Sequence, residues 1–525
     1  MMLQPLKAKQ GKGQVSSIKA IAAPTNGWVS QDNITMGRAG TALRLDNFFP
    51  YPEAVALRGG YSEHSVTGET VPVNSLMPYH APSGSNKMFA VCNDTIYDVT
   101  TQTSAATTVT TLTSSKMQFV NFATSGGTFL WACNGNDAPV HYNGTAWATP
   151  SITGLVSPSA SDIINVNVYK NRLYFCFKNS MKFGYLPVSS IAGACTTYEL
   201  GGEFSKGGYL VAMATWTKDG GAGTDDRAVF ITSEGQVAVF DGSDPSDPDN
   251  WSKVGVYNLP RPIGRRCAIE VGGDVFMITE SGIIPLTKSF AIDAASISAT
   301  AITSNIQSAM NRAAKSYKAN FGWQIIAYPK GTMAILNVPL SEGVQQHQYV
   351  MNTVTGAWAR FTGQNASCWA LLGDTLYFGG NDGTVYEADV NGTDNGADII
   401  GDLKTYFDFL GNKGVVKDFK MVQPVIYSDG QVTPSVGINV DYDDSPNTGA
   451  LIAATGGSLL LDGFDLDDEV LPEDRIISDK WVTINAKPGR AAAVRMRVAA
   501  QGGTLPVFLQ VLNFNILYEQ GSISG

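Results

Sequence analysis

A hairpin pattern returns seven times along the middle of the chain, and it restricts the possible fold more than any other feature. Each copy is an apolar, aromatic-rich strand, a tight polar turn containing Gly or Asn, and a second strand; the clearest reads GDTLYFGGNDGTVYEAD. Regular recurrence of such hairpins is typical of sheets repeated around an axis. The copies span Asn86–Thr100, Gly127–Gly144, Asn171–Leu186, Asp226–Gly242, Gly272–Thr287, a looser one at Trp323–Asn337, and Gly373–Asp389.

The spacing of the copies indicates the size of the repeated unit. Equivalent positions are separated by 41, 44, 56, 46, 50 and 51 residues. Four short strands with their turns need about 40 to 50 residues, which is the length of one propeller blade. The sequence therefore predicts a mainly β fold containing a β-propeller of six to eight blades, with seven favoured; the alternative is an ordinary β-sandwich built of hairpins. The equivalent positions are Phe89, Leu130, Tyr174, Phe230, Phe276, Ile326 and Tyr377.

Turn residues mark the boundaries between the predicted strands. The Asn-Asp-Gly, Glu-Ser-Gly and Glu-Gly turns inside the hairpins contain residues that tolerate positive φ, which tight hairpins require. A second, weaker repeated pattern is a turn that leads to a tryptophan, at Trp147, Trp251 and Trp358. We interpret each of these as the chain leaving one hairpin and entering the next blade.

The repeat does not reach either end of the chain, so three regions are expected. Residues 1–62 read as an N-terminal arm and strap that packs with the C-terminal domain, residues 63–395 as the propeller, and residues 396–525 as a C-terminal β-sandwich-like domain. The strap contains LDNFFPYPEAVALRGGY, Leu45–Tyr61, and six longer β runs follow residue 400. Lys7, Lys9, Lys12 and Lys19 make the arm basic, which suits either a contact with a partner or a frayed terminus.

One amphipathic helix is predicted inside the repeat region, near residues 302–317. Its apolar residues recur at steps of three and four, which places them on one face. Lys315 and Lys318 fall in its last turns, where cations suit the helix dipole. We expect an insertion between blades whose apolar stripe packs on the core. The stripe consists of Ile302, Ile306, Ala309, Met310, Ala313 and Tyr317.

Composition and charge limit the function classes. The hydrophobic content of 44% with 16% charged residues is that of a globular protein. The formal net charge of −10, from 36 basic and 46 acidic side chains, argues against a protein that grips nucleic acid by neutralising phosphates. It is compatible with a wall along which DNA slides without binding. The N-terminus has no apolar stretch suited to a signal peptide, and no segment of transmembrane length is found.

No catalytic or metal-binding motif is found, so we predict no catalytic, cofactor-binding or metal residues, no cofactor and no enzymatic activity. The four histidines are not paired at metal-ligand spacing, and the six cysteines form no CxxC pair. Three cysteines, Cys92, Cys133 and Cys176, recur at one place in successive hairpins as small core residues. The four histidines are His64, His80, His141 and His347, and the other three cysteines are Cys195, Cys267 and Cys368.

Two acidic segments have simpler interpretations than metal binding. The run Asp241–Trp251 contains four aspartates beside Pro and Asn, which routinely cap turns. The segment Leu461–Arg475 is strongly acidic, but its carboxylates do not have EF-hand spacing and the required Gly is missing. We interpret the second segment as a solvated loop.

The order of these elements resembles the tail-hub, or tail-nozzle, proteins of short-tailed bacteriophages. The strap LDNFFPYPEAVALRGGY is similar to the Pro-rich start of that family, with its Arg-Gly turn. The segment HQYVMNTVTGAWARF, followed by GDTLYFGGNDGTVYEAD, looks like its last blade, and TYFDFLGNKGVVKDFKMVQPVIYS with VFLQVLNFNILYE resembles its C-terminal β-domain. The helix before Trp323 also has a counterpart.

The resemblance implies a structural virion protein located in the phage tail. In that family a homo-hexameric ring lies below the portal and adaptor proteins, extends the DNA exit channel, helps retain packaged DNA and anchors tail fibres or spikes. Genomic DNA would pass through without tight binding, so the expected role is DNA ejection rather than catalysis. The alternative hypothesis is a carbohydrate-binding or carbohydrate-cleaving propeller, such as a receptor-binding protein.

Overall fold

The structure is a computed structural model that describes residues 16–30, 37–102, 105–219, 224–289, 300–428, 434–445, 450–451, 476–500 and 507–521. Strands dominate these residues, which confirms the mainly β class; we number them β1 to β41 along the chain. The predicted loop at residues 461–475 and the lysines at positions 7, 9 and 12 lie outside the described residues.

Within the described residues the propeller has seven blades, the number that the repeat favoured. Each blade is a small antiparallel sheet whose first strand lies nearest the ring axis. Blades 1 and 2 consist of β6 (Val73–Tyr79), β7 (Lys87–Cys92), β8 (Thr95–Asp98) and β9 (Ala106–Val109), then β10 (Gln118–Thr124), β11 (Gly127–Cys133), β12 (Val140–Tyr142) and β13 (Trp147–Ala148). Blades 3 and 4 consist of β15 (Ile163–Tyr169), β16 (Arg172–Phe177), β17 (Lys182–Tyr185) and β19 (Thr196–Glu199), then β20 (Leu210–Asp219), β21 (Thr224–Thr232), β22 (Gln236–Gly242) and β23 (Trp251–Asn258).

The remaining blades complete the ring. Blade 5 consists of β24 (Ala268–Val271), β25 (Asp274–Thr279) and β26 (Gly282–Pro285). Blades 6 and 7 consist of β27 (Gln324–Tyr328), β28 (Met333–Ser341), β29 (Gln345–Asn352) and β30 (Trp358–Phe361), then β31 (Cys368–Leu372), β32 (Thr375–Gly379), β33 (Thr384–Ala388) and β5 (Tyr61–Val66). A short parallel pair, β14 (Ile152–Thr153) with β18 (Gly193–Ala194), lies outside the blades, as do 3-10 turns at Ala160–Asp162 and Gly201–Glu203.

The ring closes because the outer strand of blade 7 comes from the N-terminal side of the propeller. β5 pairs antiparallel with β33, from Tyr61 opposite Ala388 to Val66 opposite Thr384. Each innermost strand also contacts the innermost strand of the next blade, including β31 with β6. The predicted boundary between residues 62 and 63 therefore falls inside β5 rather than before the propeller.

The hairpin repeat corresponds to the second and third strands of the blades. Six of the seven equivalent positions lie on a second strand, and the glycines of the predicted turns, Gly235, Gly282 and Gly383, have φ of +79°, +117° and +79°. Ile326 is the exception, because it lies on the first strand of its blade, paired with Ile335 on β28. The looser copy, Trp323–Asn337, therefore covers the first and second strands of its blade instead of the second and third. The pattern did not separate these strands, because β27 and β28 are both apolar and form a hairpin of the same kind.

The three tryptophans that follow turns do not lead into a new blade, so that interpretation was wrong. Trp147, Trp251 and Trp358 are the first residues of β13, β23 and β30, each the fourth strand of its own blade. Trp251 and Trp358 are buried, so they cover the outer part of the core between blades. A turn before an outer strand and a turn between blades use the same residue types, so the sequence did not distinguish them.

The predicted helix is present between blades 5 and 6. A 3-10 turn at Ser304–Ile306 leads into α2 at Gln307–Tyr317, while the preceding α1 is a single turn at Leu286–Ser289. Ala309, Met310 and Ala313 of α2 are buried in a core that also contains residues of blades 6 and 7 and of the C-terminal domain. The apolar stripe is therefore core packing, as predicted.

The C-terminal region forms a sandwich of two sheets, which confirms the sandwich-like domain. Phe419, Ile426 and Phe514 of the first sheet share a core with Leu403 and Met496 of the second. The first sheet contains β3 (Phe48–Pro50), β4 (Val55–Leu57), β41 (Leu509–Gln520), β35 (Lys417–Ser428) and β38 (Ile476–Ser478), with β1 (Ser16–Ala22) on β41 and β39 (Val482–Thr483) on β35. The second contains β2 (Ala42–Asp46), β34 (Ile399–Thr405), β40 (Ala492–Ala500), β36 (Ser435–Val440) and β37 (Ala450–Leu451).

The propeller and the sandwich share one sheet. β2 bridges in parallel to β30 of blade 6, where Asp46 lies opposite Arg360, and pairs antiparallel with β34 on its other side. This produces a continuous sheet of nine strands that begins at β27, on the propeller axis, and ends at β37 of the sandwich. The strap thus supplies the strand that connects the two domains.

A buried ion pair fixes the strap to the chain that follows blade 7. The Arg58 guanidinium donates to both carboxylate oxygens of Asp394, at 2.8 Å and 2.6 Å, and to the carbonyl oxygen of Thr362 at 2.8 Å. Its Nε donates to Oδ1 of Asn47 at 2.9 Å. The two side chains are only 1% and 7% exposed, so this pair is shielded from water.

We predict that Asp394→Ala lowers the free energy of unfolding by about 3–5 kcal/mol, because it leaves the Arg58 cation buried without its partner. Urea unfolding followed by fluorescence measures the change. The matched control is Glu280→Ala, which removes an exposed pair with Lys318 and is expected to cost about 1 kcal/mol or less. Equal effects of the two substitutions would contradict the role of this pair.

Candidate functional site: the central cavity of the propeller

All seven innermost strands line a cavity of about 570 Å³ on the propeller axis. Its size falls within the range of small-molecule sites, which are roughly 300–1,000 Å³. Small apolar residues such as Ala212, Ala214 and Ala370 form much of the wall. The polar residues of the wall are His80, Gln118, Asn165, Asn167, Arg265, Arg266, Glu270 and Gln324.

Arg266 spans one end of the cavity. It precedes β24 of blade 5, and its Nη2 donates to the carbonyl oxygens of Asn74 and Met117 at 3.0 Å and 3.1 Å, and to Oγ of Ser75 at 2.8 Å. These acceptors lie where β6 and β10 begin, on the opposite side of the ring, in blades 1 and 2. Arg266 therefore links blades across the axis at the end where the innermost strands start.

Arg265 makes a second link across the same end. Its Nη1 donates to the carbonyl oxygen of Asn134, at the end of β11 in blade 2, over 3.2 Å. Gly135 lies beside this contact with φ of +77°, and a Cβ there would come within 2.6 Å of Ile164 and 3.3 Å of the Arg265 guanidinium. The backbone of blade 2 can approach Arg265 this closely because residue 135 is glycine.

An aromatic ring lies beneath the arginine links. The Arg266 guanidinium carbon lies 5.0 Å from the ring centre of Phe321, and Nζ of Lys116 lies 4.7 Å from the same ring. Lys116 also pairs with Glu342 at 2.6 Å. Cations over an aromatic face are attracted by its quadrupole, so this stack holds the arginine end of the cavity in place.

Among the described residues that line the cavity, Glu270 is the only carboxylate. It is near the other end of β24, where its side chain is exposed to the cavity and its Oε1 accepts from the backbone N–H of Thr215 at 2.8 Å. Enclosure by the surrounding wall raises the pKa of this carboxyl above its ordinary value, although the hydrogen bond from Thr215 opposes the shift. Glycoside cleavage commonly uses a pair of carboxylates, so the wall suits binding better than cleavage.

The sequence reasoning missed this cavity because no motif marks it. Its polar residues come one to three at a time from five blades that are far apart in the chain. The one available signal was the doublet Arg265-Arg266 directly before an apolar strand, at the start of a repeat unit. Two charges directly before an innermost strand lie close to the propeller axis.

Cys92, Cys133 and Cys176 are buried in the core, as predicted. All six are free and buried, and Cys92, Cys133 and Cys176 lie on the second strands of blades 1, 2 and 3. Burial raises the pKa of each thiol, to about 11 for Cys92 and about 12 for Cys267. A thiol with a raised pKa is mostly protonated at neutral pH and is a poor nucleophile.

The four histidines lie apart from one another. His64 in β5 contacts the carbonyl oxygen of Val99 through Nε2 at 3.0 Å, and His80 lines the cavity. His141 and His347 are in blades 2 and 6, and each has one buried ring nitrogen without a hydrogen-bond partner. The part of the chain that the structure describes contains no group of His, Cys, Asp and Glu suited to a metal ion.

The aspartates of residues 241–251 cap turns. Asp244 accepts from the backbone N–H of Ser246 at 3.0 Å and pairs with Arg172 at 2.7 Å. Asp247 accepts from the backbone N–H of Asp249 at 3.0 Å. These contacts match the turn interpretation and do not converge on a site.

The fold and the cavity define a seven-bladed β-propeller joined to a β-sandwich. No protein-family model and no curated protein matches this chain. Among solved structures it is similar to BBS1N from a complex with ARL6DN, at 11% identity and a TM-score of 0.41 over 63% of this chain and 98% of that one.

Two further solved structures show a comparable likeness. YCF48 bound to D1 peptide has 11% identity and a TM-score of 0.37 over 66% of this chain and 98% of its own. Raptor from Chaetomium thermophilum has 10% identity and a TM-score of 0.38 over 63% of this chain and 29% of its own. At such TM-scores these likenesses carry no argument about function. No helix in the described parts of the chain is long and apolar enough to cross a membrane.

We predict that stability falls on acidification because of His347. Burial, with a smaller contribution from nearby Arg360, lowers the pKa of this imidazole from 6.5 to about 4. Between these values the unfolded chain binds the proton and the folded chain does not, so the contribution of His347 to stability is complete above pH 6.5 and declines as the pH falls toward 4.

Urea unfolding at a series of pH values tests this expectation. His347→Gln is expected to flatten the pH dependence within this window, while His80→Gln, at an exposed position, keeps the slope of the unmodified protein. Identical slopes for the unmodified protein and His347→Gln would contradict the prediction.

Proposed function

We propose that this chain is a structural virion protein, a tail hub that forms a ring below the portal and adaptor of a short-tailed bacteriophage. Its work is mechanical: it extends the DNA exit channel, helps retain the packaged genome and anchors fibres or spikes. The proposal includes a ring of six copies and the absence of enzymatic activity.

The observation that supports this role is the joining of the propeller and the sandwich into one body. The nine-stranded sheet runs from the propeller axis into the sandwich, and the strap is fixed to both by hydrogen bonds and by the Arg58–Asp394 pair. A second buried pair, Asp402 with Arg495, is bidentate at 2.9 Å and 2.6 Å and crosses from β34 to β40. Such a body transmits force between partners at its two ends without a hinge.

The cavity also limits how DNA could pass. The axis of a single propeller holds a space of about 570 Å³ spanned by Arg265 and Arg266, which is far too small for a duplex. In the proposed hub the DNA channel is therefore the space enclosed by the ring of copies, and the propeller is part of its wall or rim.

We predict a ring when the full chain is purified. Mass photometry and negative-stain imaging are expected to show six copies of the 55.9-kDa chain around an open channel, and mass spectrometry of purified virions is expected to find the chain in the tail. Portal, terminase and adaptor genes beside the gene for this chain would agree. A monomer that is absent from phage tails would overturn the proposal.

We also predict weak binding to duplex DNA. A chain with a formal net charge of −10 releases few counterions from DNA, so no saturation is expected at micromolar protein in about 150 mM salt. Fluorescence anisotropy with a labelled duplex measures this. A variant with Lys7, Lys9 and Lys12 replaced by alanine shows whether any residual binding comes from the basic arm, and nanomolar affinity would contradict a sliding wall.

The carbohydrate hypothesis stays as a second candidate for one specific reason. The central cavity has the volume of a small-molecule site, and its wall combines amides, two arginines and a carboxylate. A glycan array probed with the purified chain tests this hypothesis. Selective binding of a sugar, by a chain that is monomeric and absent from phage tails, would favour the carbohydrate hypothesis over the hub.

A further inference from the structure

Arg265 and Arg266 are two adjacent cations with only neutral acceptors. Their hydrogen bonds go to the carbonyl oxygens of Asn134, Asn74 and Met117, the hydroxyl of Ser75 and the amide oxygen of Gln324. Neither is paired with a carboxylate within the described residues. This contrasts with Arg58, Arg360 and Arg495, each of which has a bidentate aspartate.

The environment of the two arginines makes these unpaired charges costly. Burial lowers the pKa of both guanidinium groups. An arginine does not lose its proton in a protein, so the charge stays, and its desolvation is offset only by neutral hydrogen-bond acceptors and, for Arg266, by the face of Phe321. The whole chain is acidic, yet within the described residues no carboxylate is paired with either of these two positive charges.

Glu270 does not act as that counterion, because within the described residues no ion pair joins it to either arginine. It follows Arg266 by four residues, which corresponds to a Cα separation of about 13 Å at the rise of a β-strand. Its own oxygen is already engaged by the backbone of Thr215. The cavity is therefore polarised along its axis, with cations at the end where the innermost strands start and a carboxylate toward the other end.

An unused hydrogen-bond donor lies in the same wall. Gln118 is the first residue of β10 and directly follows Met117, the backbone acceptor of Arg266. The residue is 9% exposed, and its Nε2 is covered by protein and has no hydrogen-bond partner. A buried amide N–H without an acceptor costs free energy, so this part of the wall is polar without donating to the cavity through that nitrogen.

We propose that the central cavity is a binding site for a small hydroxylated acid, with its oxyanion on Arg265 and Arg266. The flat guanidinium fork suits the geometry of both carboxylate and phosphate groups. Glu270, farther along the wall, offers a carboxylate oxygen to a hydroxyl group of the same ligand. The cavity of about 570 Å³ is large enough for a monosaccharide derivative.

This inference is independent of the hub proposal, because a ring-forming protein and a monomer can both contain such a site. It assigns a ligand to the propeller axis, which is separate from any channel enclosed by several copies. The oxyanion of the ligand can be a carboxylate or a phosphate, and the experiment distinguishes these two groups.

The test is isothermal titration of the full chain with three probes: glucuronate, glucose 6-phosphate and glucose. The site predicts binding of at least one of the two acids and none of neutral glucose at the same concentrations. Arg265→Gln removes one cation and is expected to weaken that binding roughly tenfold to a hundredfold. The control Arg261→Gln changes an exposed arginine of the same loop, paired with Glu234, and is expected to bind like the unmodified chain.

The comparison of the two acids identifies the oxyanion as a carboxylate or a phosphate. If Arg265→Gln does not fold, the unmodified chain provides a second test. We expect inorganic phosphate or acetate to raise its unfolding temperature more than chloride does at equal ionic strength. The inference is wrong if neither acid binds, if glucose binds as tightly as the acids, or if a folded Arg265→Gln chain keeps the original affinity.

Discussion

The architecture depends on hydrogen bonding between the strap and the chain that follows the propeller. Within about twenty-five residues the strap contributes β2 to the shared sheet, Arg58 to the buried pair with Asp394, and β5 to the last blade. Each of these contacts joins residues more than 300 positions apart in sequence. Without β5 the last blade would end at β33 and leave the outer edge of that strand unpaired. The same segment also fixes the sandwich to blade 6.

This arrangement explains which parts of the fold could be predicted from the sequence. Strand periodicity and turn residues are local, so they indicated the blades, the helix before Trp323 and the β-rich C-terminal domain. Ile326 was placed one strand away from its true position because two neighbouring strands are equally apolar, and Trp147, Trp251 and Trp358 were assigned to the wrong connection because turns of both kinds look alike. Pairing of β2 with β30 and of β5 with β33 depends on register between distant segments, and nothing in either strand alone specifies its partner.

The central cavity was not predicted for the same physical reason. A propeller collects one short strand from each blade around its axis, so residues such as Gln118, Arg265 and Glu270 become neighbours only when the ring has closed. No spacing rule connects them in the sequence. The absence of a recognisable motif argued against a familiar catalytic site, but it did not bear on a site assembled from seven separate strands.

The two arginines on the axis connect the stability of the propeller with what it can bind. Arg266 links blade 5 to blades 1 and 2 and lies over Phe321, so it holds together blades that are not neighbours in the ring. That structural work uses neutral acceptors and leaves the charge itself uncompensated. Within the described residues Arg265 makes a single hydrogen bond of 3.2 Å to the chain, and its side chain also lines the cavity. Arg266 therefore makes most of the links between blades, and Arg265 makes one link and keeps other donors. This is the reason to treat the axis as a binding site in a protein that we propose to be structural.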